Sequence, residues 1–277
     1  MLQDQSLPAH VPHATPPRAI GSLVLSSKQR DGASCIGTFR ASGSARAVFP
    51  RSVEGLEAVV VNTSGGLTGG DRFRIDARVG EESHLILTTQ AAERAYRSAS
   101  GLARVSSQLD VVSGASLFWL PQELIVFDGA ALARKLEITL AEDAGLLLVE
   151  PVIFGRALMG EVVREATFRD RVRITRAGRP LYSDAISLTG DIPALLSHAA
   201  TAREMTAMAS VVLVSPSAEG LLTTARSLLP ETGGASLLAP DVLVIRLLAQ
   251  DGYLLRATLC PLLEALSGAD LPKCWRL

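Results

Sequence analysis

Aromatic side chains are scarce in this 277-residue sequence, and their scarcity narrows the classes of function to consider. Phe, Trp and Tyr together make up 4% of the residues, which leaves no stacking platform for single-stranded nucleic acid. The formal net charge is −1, with 27 basic and 28 acidic residues, so there is no overall basic excess. A nucleic-acid partner is therefore not expected.

Histidine and cysteine are also few, and they do not cluster. The four histidines and three cysteines are His10, His13, His84, His198, Cys35, Cys260 and Cys274. They form no H-E-x-x-H, H-x-H or C-x-x-C pattern, so a tight structural or catalytic metal site is not expected. An odd number of distant cysteines fits a reducing compartment, where each serves as a small buried hydrophobic residue. The sequence also lacks the G-x-S-x-G pattern of hydrolases.

A long hydrophobic run is missing although the composition is apolar, with 48% hydrophobic residues and a mean hydropathy of +0.28. Spanning a bilayer requires roughly 20 consecutive apolar residues, and the most apolar stretches, 146–154 and 237–248, are short or interrupted by charge. Residues 1–17 contain four prolines and no apolar segment typical of a secretion signal. We expect a cytoplasmic protein without a membrane partner, whose apolar surplus forms a large core or an obligate interface.

Period-2 alternation dominates the first two thirds of the chain and predicts a mainly β fold. In residues 72–79, Phe73, Ile75, Ala77 and Val79 share one face, and charged residues occupy the whole of the other. Residues 134–140 and 169–175 alternate in the same way. We predict a β-repeat body over about residues 20–190, preceded by a disordered Pro- and His-containing extension at 1–18.

A weak internal repeat refines this prediction. Similar apolar segments contain Leu85, Leu117 and Leu146 at spacings of 32 and 29 residues. A Gly-containing turn and an alternating segment precede each of them. Repeats of about 20–50 residues are typical of stacked supersecondary units. The pattern favours layered β-sheets or a β-solenoid-like body, although a plain antiparallel meander fits the sequence equally well.

Helical spacing appears only towards the C-terminus. Residues 192–208, 219–229 and 253–266 are predicted helices, the last one ended by Gly268 and Pro272, and residues 242–248 are a predicted strand. No linker rich in Pro and Gly precedes this mixed part at about residues 191–277. We therefore expect a few α-helices packed on the β body within a single domain, residues 19–277.

Two Gly-Gly pairs form the most distinctive segment, which runs from Asn62 to Asp71 as Asn-Thr-Ser-Gly-Gly-Leu-Thr-Gly-Gly-Asp. A phosphate-binding loop would require the glycines to open a helix, but the alternating segment 72–79 follows at once and no Gly-Lys-Ser/Thr is present. The glycines instead indicate backbone with positive φ or very close packing.

This segment resembles the signature loop of the UreD/UreH family of urease accessory proteins. Three further segments resemble that family in the same order: residues 87–98 (LTTQAAERAYRS), 119–129 (WLPQELIVFDG) and 155–161 (GRALMGE). The resemblance covers about residues 21–271. It implies a β-rich, non-catalytic scaffold that binds apo-urease and assists nickel delivery to the urease active site. It also implies a helical accessory partner of the UreF type and a nickel-carrying GTPase of the UreG type. No tightly bound cofactor is implied, and Ni²⁺ would be held only transiently.

Several acidic residues stand beside apolar runs, where burial would be costly without a partner. They are Asp128, Glu150, Glu161 and Asp184. For any single one, an internal ion pair with an arginine such as Arg156 or Arg164 is the simpler interpretation. As a set, Asp71, Glu150 and Asp184, joined by Glu93, could line a path for Ni²⁺, because carboxylates with few imidazoles hold a transition metal loosely enough to release it.

Two other functions remain open on the sequence. A β-solenoid enzyme could use Asp71, Asp128 and Glu150 as acid and base groups on a small polar substrate, although the scarcity of aromatic residues argues against sugars. Alternatively, a purely structural adaptor would have no metal path, and substitution of the acids would then not affect nickel incorporation.

The apolar surplus yields a first prediction. Expressed alone, the chain should give little monomeric protein, because an uncovered interface aggregates, and co-expression with the helical partner should raise the monomeric yield. Size-exclusion chromatography of both preparations measures the difference. Equal monomeric yields would contradict the scaffold interpretation.

Overall fold

The computed structural model describes residues 18–156 and 159–276, so the extension expected at residues 1–18 lies almost wholly outside it. Seventeen strands and three α-helices are described. In chain order they are β1 (Ile20–Arg30), β2 (Ala33–Gly43), β3 (Ala45–Val48), β4 (Leu56–Asn62), β5 (Arg72–Val79), β6 (His84–Thr89), β7 (Glu93–Ala95), β8 (Ala103–Val111), β9 (Ser116–Leu120), β10 (Leu124–Val126), β11 (Ala131–Leu140), β12 (Gly145–Phe154), β13 (Ala166–Arg176), β14 (Arg179–Gly190), α1 (Ile192–Ser197), β15 (Ala207–Val214), α2 (Ala218–Leu228), β16 (Gly233–Ala239), β17 (Val242–Ala249) and α3 (Gly252–Ser267). A 3₁₀-helix follows at Lys273–Arg276.

The strands form two sheets, which confirms the mainly β, solenoid-like fold. A seven-stranded sheet has the order β14-β13-β11-β8-β5-β1-β2. A ten-stranded sheet has the order β16-β17-β15-β12-β9-β6-β4-β3, with β7 and β10 attached beside β12. The chain alternates between the two sheets from β4 to β13, and each return adds a strand parallel to the one before it.

The leucine repeat seen in the sequence corresponds to the pairing of successive strands in the ten-stranded sheet. Leu85 of β6 lies beside Leu117 of β9, and Leu117 lies beside Leu146 of β12, all in parallel pairing. The pairing is therefore that of a solenoid, and the antiparallel meander is excluded for this part of the chain. Because side chains alternate in direction along a strand, matching leucines stack on one face and bury a continuous core.

A short third ladder completes the coils near the glycine-rich loop. Strand β10 pairs in parallel with both β7 and the last residues of β12. This ladder places Glu93 of β7 beside Leu124 of β10. It adds a narrow third side to the stack and carries an acidic residue to the edge of the space between the two large sheets.

Two hydrophobic clusters hold the layers together. One fills the space between the two sheets and includes Leu85, Leu117, Phe168 and Leu148. The other lies on the outer face of the ten-stranded sheet, where α2, α3 and the C-terminal segment cover it. No helix in the described ranges is long and apolar enough to cross a membrane.

The C-terminal third required one correction. The predicted helix at residues 192–208 is wrong beyond its first turns, since α1 ends at Ser197 and β15 begins at Ala207. Strand β15 has the sequence AMASVVLV and lies between β12 and β17 with almost every residue buried. A valine-rich run that is buried on both faces favours a central strand over a helix. The predicted helices at 219–229 and 253–266 correspond to α2 and α3, and the predicted strand at 242–248 to β17.

Trp275 fastens the C-terminal segment to the ten-stranded sheet. Its side chain is 2% exposed, and its Nε1–H lies 3.0 Å from the Leu120 carbonyl oxygen and 3.2 Å from Thr88 Oγ1. The Arg256 guanidinium lies over the indole ring, 5.0 Å from its centroid, and donates to the Trp275 carbonyl. Arg256 also pairs with the buried Glu123 at 2.8 Å. Helix α3 and the last described residues therefore form one anchored unit.

Truncation of the Trp275 side chain should lower the stability of the fold. Trp275→Ala is expected to lower the free energy of unfolding by about 3–5 kcal/mol, because it removes a fully buried aromatic side chain. Urea denaturation followed by circular dichroism measures the change. Tyr253→Ala is the matched control, since Tyr253 is 77% exposed and its truncation should stay within about 0.5 kcal/mol of wild type. Equal losses for the two variants would contradict the anchoring role.

Candidate functional site

The glycine-rich loop connects β4 to β5 and packs closely on the third ladder. Gly65, Gly66 and Gly70 all have positive φ, which side-chain-bearing residues rarely adopt. A Cβ on Gly66 would lie 2.4 Å from the Tyr96 ring. Asn62 closes the turn, since its Oδ1 accepts from the Ser64 amide at 3.1 Å. The glycines thus allow a tight backbone packing, as expected from the sequence.

Asp71 is the acid that holds this loop. One carboxylate oxygen accepts from the Ala19 amide and the other from the Thr68 amide, both at 2.8 Å. The residue is 4% exposed. Because both oxygens already bind backbone N–H groups, Asp71 acts on the conformation of the loop, and its side chain does not line the space between the sheets.

A cavity of about 260 Å³ opens between the two sheets beside this loop. Its walls are mostly apolar, with Phe73, Ile75 and Leu136 on the seven-stranded sheet and Val60 on the other. Polar groups gather at two places. Residues from the loop, from 89–93 and from 121–122 surround one side, and a buried charged cluster forms the other.

Glu93 marks the loop side of the cavity. The Asn62 amide nitrogen donates to its Oε2 at 3.1 Å, and the Arg94 N–H donates to its Oε1 at 3.1 Å. Burial raises the pKa of Glu93, while these two hydrogen bonds oppose the rise and nearby Asp71 adds to it. Ionising a carboxyl group with a raised pKa costs free energy at neutral pH, and a nearby cation would reduce that cost.

Glu150, Arg134 and Asp170 form the buried cluster at the other side. Glu150 lies on β12, whereas Arg134 and Asp170 occupy inward-facing positions on β11 and β13. The Arg134 guanidinium lies 2.9 Å from Glu150 and 2.5 Å from Asp170, and both carboxylate side chains are 8% exposed. The Trp119 indole N–H donates to Glu150 at 2.7 Å.

The three charged groups of this cluster influence one another's pKa values. Burial raises the pKa of Glu150, Arg134 lowers it and Asp170 raises it again, and the net direction is upward. Burial alone would lower the pKa of Arg134, but the two carboxylates outweigh it and raise that pKa. Arg134 Nε has no hydrogen-bond partner among the described residues. Two carboxylates thus share one arginine, and the cluster carries an excess of negative charge when both are ionised.

Asp184 continues the series beyond this cluster. A second, much smaller space of about 10 Å³ is lined by Glu150 and Asp170 on one side and by Asp184 and Ser210 on the other. Asp184 faces inward on the edge strand β14 and pairs with Arg246 of β17. The Ser210 hydroxyl lies 3.4 Å from the same carboxylate. Glu150 and Asp170 therefore border both spaces, and Asp184 stands at the outer end.

Of the four predicted path residues, the structure brings three into one series. Glu93 and Glu150 line the larger cavity, Glu150 and Asp184 line the smaller space, and Asp71 lines neither. Asp170 and Arg134 were not predicted from the sequence. Both break the apolar side of a period-2 strand, between Phe168 and Val172 and between Leu132 and Leu136, and that interruption was the available signal.

The remaining acids singled out in the sequence lie in surface-proximal ion pairs. Asp128 pairs with Arg97, and one of its oxygens accepts from the Glu165 amide at 3.0 Å. Glu161 pairs with Arg156 at 2.8 Å, as the ion-pair interpretation expected. Of Asp71, Asp128 and Glu150, which the enzymatic alternative would use together, only Glu150 lines the cavity.

Among the residues that the structure describes, no histidine or cysteine lines the cavity. His84 Nδ1 lies 2.6 Å from Ser116 Oγ on the outer face of the ten-stranded sheet, and burial lowers the pKa of this imidazole. The three cysteines are free and half-buried. Across residues 18–156 and 159–276, no group of three or more His, Cys, Asp or Glu side chains is arranged to hold a metal ion. The acids of the cavity are instead spaced along it.

A β-solenoid with carboxylates along its interior is thus the class of protein that the fold and the site define, and comparisons with known proteins give the family. The family model described as UreD urease accessory protein matches residues 19–276. The urease accessory protein UreD of Roseobacter denitrificans is 48% identical over 268 residues, covering 95% of this chain and 98% of the relative. UreD of Ruegeria pomeroyi is 46% identical, covering 92% and 100%. UreD 1 of Brucella abortus is 43% identical, covering 94% and 95%.

The chain therefore belongs to the UreD family of urease accessory proteins, as the four sequence motifs indicated. This membership supports a role in urease maturation.

The pKa of Glu93 gives a test of its environment. A carboxyl whose pKa is higher in the folded state binds protons more readily there, so stability falls as pH rises above the ordinary value of 4.5. Glu93→Gln keeps the acceptor for Asn62 and removes the charge. The variant should therefore be more stable than wild type at pH 7, and the difference should close below about pH 4. Urea denaturation across this range, with the exposed Glu54→Gln as control, checks the prediction, and a difference independent of pH would contradict it.

Proposed function

We propose that this chain is a non-catalytic scaffold of urease maturation that works in the cytoplasm. In this proposal it holds apo-urease and the other accessory proteins, and Ni²⁺ passes through its interior on the way to the urease active site. Family membership supports the maturation role, and the names of the relatives describe accessory proteins. The partners are apo-urease, a helical accessory protein of the UreF type and a nickel-carrying GTPase of the UreG type.

One observation carries the interior path: Glu93, Glu150, Asp170 and Asp184 follow one another along two adjoining spaces between the sheets. Carboxylate oxygens are hard ligands that bind divalent transition metals more weakly than imidazole or thiolate. A path must release its ion, so a series of single carboxylates suits it better than one tight site.

In this structure, arginine side chains form ion pairs with three of the four carboxylates of the path. Arg134 bridges Glu150 and Asp170 where the two spaces adjoin, and Arg246 pairs with Asp184 at the outer end. The smaller space has room for about one water molecule. A divalent ion entering beside Arg134 would face a like charge within a few ångströms, which costs several kcal/mol in a partly buried site. Passage of Ni²⁺ therefore requires Arg134 to leave the carboxylates, and the larger cavity that it lines gives the side chain room to do so.

Removing the charges of the path while keeping its shape tests the proposal. The variant combines Glu93→Gln, Glu150→Gln and Asp184→Asn, which preserve acceptors for Asn62, Trp119 and Ser210. With three negative charges removed, the interior offers a divalent cation far less compensation for its lost hydration, so the nickel content and activity of co-expressed urease should fall severalfold. The chain should still co-purify with its partners.

The control variant changes three exposed carboxylates outside the space between the sheets and outside the seven-stranded sheet's charged rows: Glu54→Gln, Glu231→Gln and Asp31→Asn. It matches the path variant in number and chemistry and should leave urease nickel unchanged. Normal nickel content with the path variant would reject the path and leave a structural adaptor. Unchanged nickel content when the chain is omitted altogether would reject the maturation role.

A further inference from the structure

The solvent-facing side of the seven-stranded sheet is strongly basic. Outward positions of its four central strands, β5, β8, β11 and β13, carry eight basic and three acidic residues. The basic residues are all exposed: Arg72, Arg74, Arg78, Arg104, Lys135, Arg169, Arg171 and Arg173. The whole chain has a net charge of −1, so positive charge is concentrated on this face and balanced elsewhere.

The strand register places most of this charge in two adjacent rows near the strand starts. The first row crosses the sheet as Arg72, Arg104, Ala133 and Arg169. The second row crosses it as Arg74, Ser106, Lys135 and Arg171. Neutral residues flank both rows on β1 and β14. Six cations, which we call the basic face, thus share two rows without an acidic residue.

Internal ion pairs compensate only part of this charge. Arg74 pairs with Asp76 at 2.6 Å and Lys135 with Glu137 at 2.8 Å, both acids coming from the next row. The four other members, Arg72, Arg104, Arg169 and Arg171, make no ion pair with any described residue. Arg72 and Arg104 are direct neighbours on parallel strands, and like charges in that position are unfavourable. An acidic partner would relieve this repulsion.

The shape and composition of the face select the class of partner. Its outward positions on the four central strands contain no aromatic residue on which a base could stack and no apolar residue larger than alanine that could enter a membrane. A broad sheet face also cannot enter a groove of duplex DNA, which admits a helix or a two-stranded ribbon. These features favour a folded protein with a carboxylate-rich surface.

We propose that the basic face docks the acidic surface of a protein in the urease maturation assembly. The identity of that assembly rests on the proposed function, whereas the site and its chemistry rest on the strand register. The four strands that carry the face, about 4.8 Å apart and about eight residues long, present roughly 500 Å², which is the larger part of the ~800 Å² that each partner contributes to a stable interface. Arginine forms five of the six cations, and its planar fork binds carboxylates through two hydrogen bonds.

Charge reversal at the centre of the face tests the docking. The probe is the tagged full chain co-expressed with apo-urease subunits and the UreF-type and UreG-type accessory proteins. Arg104→Glu with Arg169→Glu should reduce the recovery of at least one of these partners by tenfold or more. Arg104→Lys with Arg169→Lys keeps the charge and should retain most of the recovery. Arg51→Glu with Arg203→Glu changes two exposed arginines outside the face and should behave as wild type.

The salt dependence of partner recovery is a second measurement. Association through exposed charges weakens as the Debye length shrinks from about 10 Å at 0.1 M salt to about 3 Å at 1 M. Recovery of the partner by the wild-type chain should fall across this range, and the charge-reversed variant should lose most of that dependence.

Three results would overturn the proposal. The first is normal recovery of every partner by the charge-reversed variant, and the second is wild-type recovery that does not change with salt. The third is retention of the wild-type chain on duplex DNA or anionic phosphatidylserine vesicles without any salt-sensitive protein partner. If the charge-reversed variant still supports normal nickel loading and the path variant does not, docking fails while the proposed function stands.

Discussion

The parallel, in-register stacking of successive coils is the constraint on which the rest of the structure depends. Leu85, Leu117 and Leu146 lie side by side because each coil repeats the alternation of the one before it. With a side-chain period of two, a shift of one residue in any strand would turn its core face to solvent. The same register determines which polar residues point inward and which cations share a row outside. The register of the strands therefore determines the composition of the core, the positions of the interior acids and the arrangement of the outer charges.

Three charged side chains lie between the two sheets, where burying charge reduces the stability of the fold. A buried arginine between two carboxylates rarely stabilises a fold as much as well-packed hydrophobic residues would. Arg134, Glu150 and Asp170 nevertheless interrupt inner faces that are otherwise rich in Leu, Val and Phe. Trp119 adds a hydrogen bond that fixes Glu150. These charged groups lie at the junction of the two spaces, and the path proposed above depends on them.

Much of this could be predicted from the sequence, because the features involved are local. Alternation identified β5, β11 and β13, and the leucine spacings identified the stack of β6, β9 and β12. Helix α1 was overextended, because a window of apolar residues cannot distinguish a buried central strand from a helix without its neighbours. Of the four acids predicted to line a path, Glu93, Glu150 and Asp184 line the spaces between the sheets, whereas both carboxylate oxygens of Asp71 accept backbone N–H groups. Arg134 and Asp170 were not predicted as site residues. Their side chains meet because β11 and β13 are neighbours in the sheet, and the sequence alone does not show which strands are neighbours.

Successive coils differ in length, and this affects where the fold tolerates insertions and deletions. Paired positions on successive strands of the seven-stranded sheet are 32, 29 and 36 residues apart, yet the ladders keep their register. The differences in length therefore fall in the segments that connect the paired strands of this sheet. Natural insertions and deletions should accumulate there, and a foreign peptide could be grafted at a turn there without disturbing the ladders. These turns can diversify between species while the strands that carry the interior acids keep their lengths.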